Sequence, residues 1–465
     1  MTDATAPVDK ADARTLACDI LKQRFGEHAQ TGEAIREQHG HTTSWLENQP
    51  PDIVVWPSST EDVAEIVQIA ATHKVPVIPF GVGTSLEGQL NAPEGGISID
   101  FKRMNKVLEV HAEDLDAVVQ PGITRTELNE YLRDTGFFFP IDPGADASIG
   151  GMAATRASGT NAVRYGTMKD VILSLEAVLP DGRIIRTGGR AKKSSAGYDL
   201  TRLMIGAEGT LGIITELTVR LSGIPEAMSS ATCSFPSVAA ACEAVIQTIQ
   251  MGIPVSRIEL MDESFVAAVN AYSKLTLPEK PLLLLEFHGS EASVAEQATT
   301  FGEIAADVGG EDFAWTTSPE ERTRLWQARH DAYWAARAVR KGTEAITTDI
   351  CVPISKLAES VAATQQKADE LGLVAPIIGH VGDGNFHTVL LFDPASETER
   401  DNARSFVSWL NHLAVSMQGT CTGEHGIGQG KKPYLEAELG GAVDVMRAIK
   451  SAIDPDNIMN PGKIV

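Results

Sequence analysis

The sequence predicts an α+β protein that is divided into more than one domain, and three observations support this prediction. The chain has 465 residues, which is more than one ordinary hydrophobic core accommodates. Near the N-terminus, apolar strands at 52–56 and 75–79 flank an amphipathic helix at 61–73, which makes a β-α-β unit. From 226 to 418, predicted helices alternate with strands around an antiparallel hairpin, a pattern typical of an α+β domain.

Composition and charge argue against several classes of function. The formal net charge of −23 argues against binding nucleic acid by neutralising its phosphates. No stretch approaches the roughly 20 consecutive apolar residues of a membrane span. The five cysteines show no C-x-x-C spacing, which argues against an iron–sulfur cluster or a zinc ribbon. The first residues are acidic and lack an apolar signal core, so we expect a cytoplasmic location, with peripheral association at a membrane left open.

Segments rich in glycine and other small residues punctuate the first half of the chain. The strand at 75–79 runs into a loop, 80–88, with three glycines that fit neither the Rossmann nor the P-loop spacing. Such a loop can offer backbone N–H groups to an anion, but loops of this composition mostly serve as turns. A second small-residue segment follows at 142–161. Two such segments in one domain suggest backbone lying against a large, flat ligand that carries phosphate.

The second half of the chain is predicted to be richer in regular elements. We place a boundary near 224–225, after a glycine-rich turn and strand at 203–215. A long helix is predicted over 318–340, where Ser-Pro-Glu-Glu opens it, and a further helix over 397–418. The tail carries a helix at 443–453 and closes with an Asn-Pro-Gly turn.

A predicted β-hairpin over 375–392 carries two histidines. Its Asp-Gly dipeptide at 383–384 favours a two-residue type I′ turn, which pairs His380 directly with His387. Directly opposed residues of an antiparallel pair share a face, with Cβ atoms about 4.5–5.5 Å apart. That separation allows two imidazoles to hold one divalent ion.

A later segment supplies further groups of the same chemistry. Glu424 offers a carboxylate and His425 a third imidazole. Two histidines and one carboxylate form a common ligand set for Zn, Mn or Fe(II). The alternative is a buried hairpin whose histidines are merely hydrogen-bonded, and the hairpin alone does not decide between the two.

Six sequence segments, taken together and in this order, resemble the flavoproteins of vanillyl-alcohol-oxidase type, and within them the FAD-linked D-lactate dehydrogenases. The six segments are PFGVGTSLEG at 79–88, DPGADASIGG at 142–151, GAEGTLG at 206–212, GHVGDGNFH at 379–387, GEHG at 423–426 and NPGK at 460–463. Two more runs, LWQARHDAYW at 325–334 and TDICVP at 348–353, are most similar to the D-lactate branch.

The resemblance implies a two-subdomain FAD-binding domain and an α+β cap domain over the flavin. It divides the chain into an N-terminal helical segment (1–49), the FAD-binding domain (50–225), a substrate or cap domain with a metal-binding hairpin (226–418) and a C-terminal segment that returns to the flavin site (419–465).

The resemblance also implies which residues bind FAD. The first loop would hold the pyrophosphate, largely through backbone N–H groups, by means of Gly81, Gly83, Thr84, Ser85 and Gly88. The flavin would be lined by Pro143, Gly144, Ser148, Gly151, Ser158 and Gly159, with Glu208, Gly209 and Ile214 near its adenosine or dimethylbenzene side and Asn460 from the tail. Because Thr84-Ser85 stand where some relatives carry a tethering histidine, we expect non-covalent FAD.

At the hairpin, the resemblance implies a site for Zn or Mn. The implied metal ligands are His380, His387 and Glu424. His425 would accept the hydroxyl proton of the substrate as a general base, and Arg329 would bind its carboxylate through two hydrogen bonds. Asn385 would hydrogen-bond the substrate or stabilise the hairpin.

The implied activity is the FAD- and metal-dependent oxidation of a D-2-hydroxyacid to the 2-oxoacid, D-lactate to pyruvate, with hydride transfer to flavin N5. Thr347 stands where relatives acting on D-2-hydroxyglutarate have a lysine, which favours a short substrate. Glycolate or D-2-hydroxyglutarate oxidation and, in a different class, a metal-dependent hydrolase are the alternatives. The electron acceptor (a quinone, a cytochrome or an electron-transfer protein) and a homodimeric state stay open.

Overall fold

The computed structural model describes residues 10–42 and 44–465, so residues 1–9 and 43 of the predicted N-terminal segment lie outside the described residues. The first elements, in chain order, are α1 (Lys10–Phe25), β1 (Ala29–Gln30), α2 (Glu33–Gly40), β2 (Ile53–Val55), α3 (Thr60–His73), β3 (Val77–Phe80) and β4 (Ile97–Asp100). They form a four-stranded sheet in the order β1-β2-β4-β3, in which β2, β3 and β4 are parallel. The predicted β-α-β unit is confirmed.

Helix α3 shows why the sequence folds this way. Its N-cap Ser59 accepts a hydrogen bond from the backbone N–H of Asp62, which satisfies one of the free donors of the first turn. Its apolar residues Val63, Ile66 and Val67 recur at helical spacing and are buried against the sheet.

A second, antiparallel sheet follows. Its part of the chain contains β5 (Val107–His111), β6 (Asp116–Val119), α4 (Arg125–Leu132), β7 (Phe137–Phe138), α5 (Ile149–Thr155), α6 (Ala162–Tyr165), α7 (Met168–Val171), β8 (Ile172–Val178), β9 (Ile184–Gly188), α8 (Leu200–Met204), β10 (Ile213–Arg220) and β11 (Ser222–Gly223). The strand order is β5-β6-β10-β8-β9. Short α5, which follows the small-residue segment, packs its buried face on this sheet.

The remainder of the chain builds an eight-stranded sheet with helices. Its elements are β12 (Ala227–Ser234), α9 (Val238–Gln250), β13 (Val255–Met261), α10 (Glu263–Ser273), β14 (Leu282–Gly289), α11 (Glu291–Asp307), β15 (Glu311–Thr316), α12 (Pro319–His330), α13 (Ala332–Val339), β16 (Glu344–Thr347), β17 (Ile350–Cys351), α14 (Leu357–Leu371), β18 (Ile377–His380), β19 (Asn385–Phe392), α15 (Glu397–Ser416), α16 (Lys432–Leu439) and α17 (Ala442–Ile453). The strand order is β15-β12-β14-β13-β18-β19-β16, and β17 also pairs with β19. None of the helices in the described ranges is both long and apolar enough to span a membrane.

The predicted register of the hairpin is wrong by two residues. His387 pairs with Ile378 rather than with His380, because Val381–Asp383 form a 3₁₀ turn in place of a two-residue turn. Gly384 closes the turn with φ of 79°, and β17 pairs with the start of β19 there. A shift of two residues preserves the face of each side chain. The two histidines are therefore diagonal neighbours on one face, with ring centroids 5.3 Å apart.

The helix predicted over 318–340 is divided in two at Asp331, where α12 ends and α13 begins. The break turns α13 so that its alanines Ala332, Ala335 and Ala336 pack into the cluster formed with α10. After α17, the tail returns to the first sheet: Val77 of β3 donates its N–H to Ile458 and accepts one from Asn460.

Candidate active site

Each of the two hairpin histidines is hydrogen-bonded at one ring nitrogen and directs its other ring nitrogen toward Glu424. Nδ1 of His380 lies 2.6 Å from the carboxylate of Glu259, and Nδ1 of His387 lies 2.9 Å from the backbone carbonyl of Thr348. Glu259 comes from β13, directly opposite His380. An oxygen that accepts the Nδ1 hydrogen fixes the orientation of the ring and leaves Nε2 as the nitrogen that can coordinate a metal ion.

Both Nε2 atoms point at the same carboxylate oxygen. Nε2 of His380 and Nε2 of His387 each lie 3.4 Å from Oε1 of Glu424. The other oxygen of Glu424 is buried and has no hydrogen-bond partner among the described residues. One atom from each of the three side chains lies within 4.8 Å of the other two. Two imidazoles with oriented lone pairs and a carboxylate with a free oxygen fit a divalent ion.

His425 lies beside this group with its ring stacked on that of His387, at 5.3 Å between centroids and 13° between planes. Its Nδ1 is buried and lacks a partner within the described part of the chain. Burial lowers the pKa of His425 to about 4, although the negative charge of Asp349 opposes this shift. The imidazole is therefore neutral at pH 7 and able to accept a proton.

Arg329 reaches the same site from α12. Its Nε donates to Oε2 of Glu259 at 2.7 Å, so one buried carboxylate contacts both Arg329 and His380. The contact uses one of the five guanidinium hydrogens, and four are left for a carboxylate ligand. The side chain of Arg329 is 13% exposed, which places it at the edge of the site rather than on the free surface.

Asn385 is oriented by its neighbours. Its amide nitrogen donates to Oδ1 of Asp349 at 2.8 Å and to the carbonyl of Ile350 at 2.7 Å. Both amide hydrogens are thereby used in holding the hairpin to the segment around β17. Only the amide oxygen of Asn385 is left for another partner.

Several of the residues implied for FAD converge on one cavity between the first two sheets. The cavity is lined by Pro79, Phe80, Gly81, Phe101, Pro121, Ser148, Gly150, Gly151, Ala154, Gly209, Gly212, Ile213 and Ile214. The hydroxyls of Ser85 and Ser148 are buried without partners among the described residues. Small residues and unpaired hydroxyls in and beside a glycine-rich loop fit a ligand that carries phosphate.

Glycines in this region allow close approach of backbone segments. A Cβ at Gly209 would overlap the ring of Pro79, and Gly209 has φ of 74°. Gly159, with φ of 151°, lies against the backbone of Asp142, and Asp142 accepts hydrogen bonds from Thr160 and from the N–H of Asn161. The segment that contains Pro143 and Gly144 is thereby tied to the one that contains Ser158 and Gly159.

Glu208 connects the glycine-rich turn to the segment after His425. Its carboxylate accepts the N–H groups of Ile427 at 2.7 Å and Gly428 at 2.8 Å. Burial raises the pKa of Glu208 to about 7, although those two N–H groups oppose the shift. Asn460 donates to the carbonyl of Glu208 at 2.7 Å. Of the residues of loop 80–88 implied for FAD, Gly81 lines the cavity between the first two sheets. The others, Gly83, Thr84, Ser85 and Gly88, do not line it.

Sequence reasoning missed four charged residues at this site: Glu87, Glu259, Asp349 and Lys431. Glu87 lies 3.9 Å from Nδ1 of His425 and 3.8 Å from Nζ of Lys431. Glu259 is a charged residue inside the otherwise apolar run 258–261 of β13, and this is the signal that could have found it. Asp349 stands in the run TDICVP, which resembles the D-lactate branch but does not itself indicate a role for this residue.

Comparisons with known proteins identify the family of the chain. The family profile described as "FAD linked oxidases, C-terminal domain" matches residues 224–464, and the profile described as "FAD binding domain" matches residues 51–188. The chain is 50% identical over 462 residues to the probable mitochondrial D-lactate dehydrogenase of Danio rerio, covering 97% of this chain and 93% of that protein. It is also 50% identical over 469 residues to the mitochondrial D-lactate dehydrogenase (cytochrome) of Arabidopsis thaliana, covering 100% and 83% of the two chains.

A solved structure shares the fold at low sequence identity. The 4-ethylphenol oxidase from Gulosibacter chungangensis matches with a TM-score of 0.79 and 19% identity, covering 100% of this chain and 98% of that one. At this identity the likeness shows the fold alone.

The cytoplasmic location predicted from the sequence is wrong. The D-lactate dehydrogenases of Danio rerio and Arabidopsis thaliana, each 50% identical to the chain, are both mitochondrial by name. The prediction rested on acidic first residues and on the lack of an apolar signal core, and the names of these relatives overturn it.

Proposed function

Because the chain belongs to the family of FAD-linked oxidoreductases of vanillyl-alcohol-oxidase type, in its D-lactate dehydrogenase branch, we propose that it oxidises D-lactate to pyruvate. The proposal includes non-covalent FAD and one divalent ion, Zn²⁺ or Mn²⁺, on His380, His387 and Glu424. The observation that carries it is the convergence of two Nε2 atoms on Glu424, whose second oxygen is buried and unpaired.

FAD and the divalent ion would each supply one kind of chemistry when bound. Bound FAD would supply the acceptor for the hydride that leaves C2 of the substrate, and a metal ion on His380, His387 and Glu424 would supply a Lewis acid that lowers the pKa of the substrate hydroxyl. The chain's own residues bind the substrate, orient it and take up its proton.

His425 is proposed as the base. Its ring stacks on the proposed ligand His387, so a substrate hydroxyl held at this site would lie within its reach. Burial keeps it neutral at pH 7, and a neutral imidazole can accept the proton that the hydroxyl loses.

Arg329 is proposed to bind the substrate carboxylate, with Glu259 fixing its orientation through Nε. Thr347 lies in β16 on the same face as His387, since its partner in β19 is Val389. A neutral threonine here supports a substrate with a short, uncharged side chain. The amide oxygen of Asn385 is available to the substrate as an acceptor.

The electrons must then leave the flavin. The name of the Arabidopsis thaliana relative includes a cytochrome, and this supports a cytochrome as the acceptor for the present chain. A quinone and an electron-transfer protein are the alternatives, and reduction of each by the substrate-reduced enzyme separates the three.

An anaerobic flavin spectrum tests the proposal. D-lactate should bleach the flavin absorbance, whereas L-lactate should not. Treatment with EDTA should abolish the bleaching, and added Zn²⁺ or Mn²⁺ should restore it. Bleaching that survives EDTA and full demetallation would contradict the proposed dependence on a metal ion. Bleaching by glycolate or D-2-hydroxyglutarate, but not by D-lactate, would contradict D-lactate as the substrate and would still support FAD as the cofactor.

A further inference from the structure

The proposed site has a structural problem that the ligands themselves do not solve. Glu424 and His425 lie in a segment between α15 and α16 that has no helix or strand of its own. The hairpin that carries the two histidines is more than thirty residues earlier in the chain. A metal-binding carboxylate must be held within about 0.5 Å of its productive position. Some other group has to fix this segment against the hairpin.

Asp349 makes the contacts that such a group would make. Its Oδ2 accepts the N–H of Glu424 at 2.9 Å, the N–H of His425 at 2.9 Å and the hydroxyl of Thr422 at 2.8 Å. Its Oδ1 accepts the amide of Asn385, in the hairpin, at 2.8 Å. One fully buried carboxylate therefore joins the segment that carries the base to the strand that carries His387.

The surroundings hold Asp349 in place. Its carbonyl accepts Nζ of Lys431 at 2.6 Å, and the same ammonium donates to the carbonyl of Cys421. Cys351 and Thr420 form an antiparallel bridge two residues further along. The chain around β17 is thus a fixed support to which the segment at 420–425 is attached.

Asp349 could instead be a metal ligand, since its carboxylate, His387 and His425 also lie within 4.8 Å of one another. The hydrogen bonds argue against this role. Nδ1 of His387 is 2.9 Å from the carbonyl of Thr348 and 3.8 Å from Oδ1 of Asp349, so it is already occupied. Both oxygens of Asp349 accept hydrogen bonds, whereas Glu424 has an oxygen free.

We propose that Asp349 is a positioning residue that holds the third metal ligand, Glu424, and the base, His425, against the histidine hairpin. This gives a role to the run TDICVP. The inference rests on the proposed metal site for its functional consequence, although the attachment of the 420–425 segment is independent of any metal.

The first test measures Zn²⁺ binding. Metal-free wild-type protein and Asp349→Asn are titrated with Zn²⁺ in a competing chelator. Asparagine keeps the size of the side chain but removes its charge and replaces one of the two acceptor oxygens with an amide nitrogen, which cannot accept the hydrogen bond of Asn385. Loss of a residue that supports metal ligands weakens metal binding by about 10–100-fold. The matched control is Asp262→Asn, another buried aspartate, which caps α10 and should bind Zn²⁺ as the wild type does.

The second test measures hydrogen exchange in the metal-free proteins. In Asp349→Asn an uncharged amide oxygen is a weaker acceptor for the N–H groups of residues 424 and 425, and the amide nitrogen opposes that of Asn385, so we expect these two amides to exchange about tenfold faster or more. Exchange at 263–265 should be unchanged in Asp349→Asn and faster in Asp262→Asn. A metal ligand without a positioning role would not alter exchange in the absence of metal.

The outcomes separate the two proposals. Wild-type protein that binds no Zn²⁺ would contradict the metal site, while the exchange measurement would still test Asp349. Wild-type affinity and wild-type exchange in Asp349→Asn would overturn the positioning role. If that variant does not fold, Thr422→Val removes one hydrogen bond to Oδ2, and unchanged affinity and exchange in it would overturn the role equally.

Discussion

Two clusters of glutamate, histidine and arginine lie on one face of the eight-stranded sheet, and one of them contributes to the proposed metal site. The hairpin cluster consists of Glu259, His380 and Arg329. The β14 cluster consists of Glu286, His288, Arg257 and Arg322. In both, a buried glutamate contacts a histidine nitrogen and an arginine from α12.

The clusters differ in what is left unpaired. In the β14 cluster, Nε2 of His288 is 2.7 Å from Glu286, and Nδ1 is within 2.9 Å of the hydroxyls of Tyr165 and Ser256. In the hairpin cluster, only Nδ1 of His380 has such a partner, and Nε2 faces Glu424. A Glu-His pair becomes a candidate metal site only where one ring nitrogen is left free and a second carboxylate approaches it.

The same comparison explains why the β14 cluster is structural. Arg257 donates to Asp142 and Asn161, so it connects the sheet to the segment next to Pro143 and Gly144. Its guanidinium lies 4.5 Å from the ring of Trp326. Every charge in this cluster has an opposite charge or a hydrogen-bond partner.

Replacing the histidine should separate the clusters most strongly. His380→Asn removes a proposed ligand, so we expect loss of bound metal and a fall in kcat/KM of about 10³-fold or more, since a Lewis acid contributes several kcal/mol. His288→Asn should keep its metal and its kcat/KM within a few-fold, and lose about 1–3 kcal/mol of stability. Metal content, steady-state kinetics and thermal unfolding measure both. Equal losses of activity would mean that the two clusters are not functionally distinct.

Replacing the glutamate should have a smaller effect on the same property. Glu259→Gln weakens the acceptor for Nδ1 of His380, so metal affinity should fall by about 10–100-fold. Glu286→Gln should leave metal affinity unchanged. Competition with a chelator measures the affinity of each variant. Unaltered affinity in Glu259→Gln would show that the orientation of His380 does not depend on this carboxylate.

Replacing the arginine should affect substrate rather than metal. Arg329→Lys keeps the charge but removes the planar pair of donors, so kcat/KM for D-lactate should fall about tenfold, mostly through KM. Arg322→Lys, on the same helix but facing Glu286, is the control and should keep KM. Steady-state kinetics at saturating metal distinguish the two. A KM unchanged in Arg329→Lys would exclude this residue from carboxylate binding.

The sequence was sufficient to predict the features that depend on local pattern. Capped amphipathic α3 and its flanking strands follow from periodicity, and period-two alternation placed His380 and His387 on one face. The register was not predictable, because β17, a strand of two residues, pairs with the start of β19 and allows a 3₁₀ turn. Contacts between distant parts of the chain, such as Glu259 with His380 and Asp349 with Glu424, leave no local periodicity.

Glu87 provides the smallest and most specific test of what neighbouring charges do to a buried carboxylate. Burial raises the pKa of Glu87 to about 8, and Lys431, at 3.8 Å, only partly opposes it. Burial also acts on Glu286, but His288 and the nearby arginines hold the pKa of Glu286 below its ordinary value.

The contributions of the two glutamates to stability should therefore depend on pH in different ranges. Between about pH 4.5 and 8, the unfolded chain has released the proton of Glu87 while the folded protein retains it, so stability falls as pH rises. Glu87→Gln removes this loss, and its unfolding temperature relative to the wild type should rise by a few degrees from pH 5.5 to 8. The stability that Glu286 contributes is fully present above about pH 4.5 and is lost only in more acidic solution, so the deficit of Glu286→Gln should be constant over the same range. Thermal unfolding of both variant holoenzymes and the wild type at the two pH values measures this contrast. If the unfolding temperature of Glu87→Gln relative to the wild type is the same at both pH values, Glu87 is ionised in the folded protein, with Lys431 as its counterion.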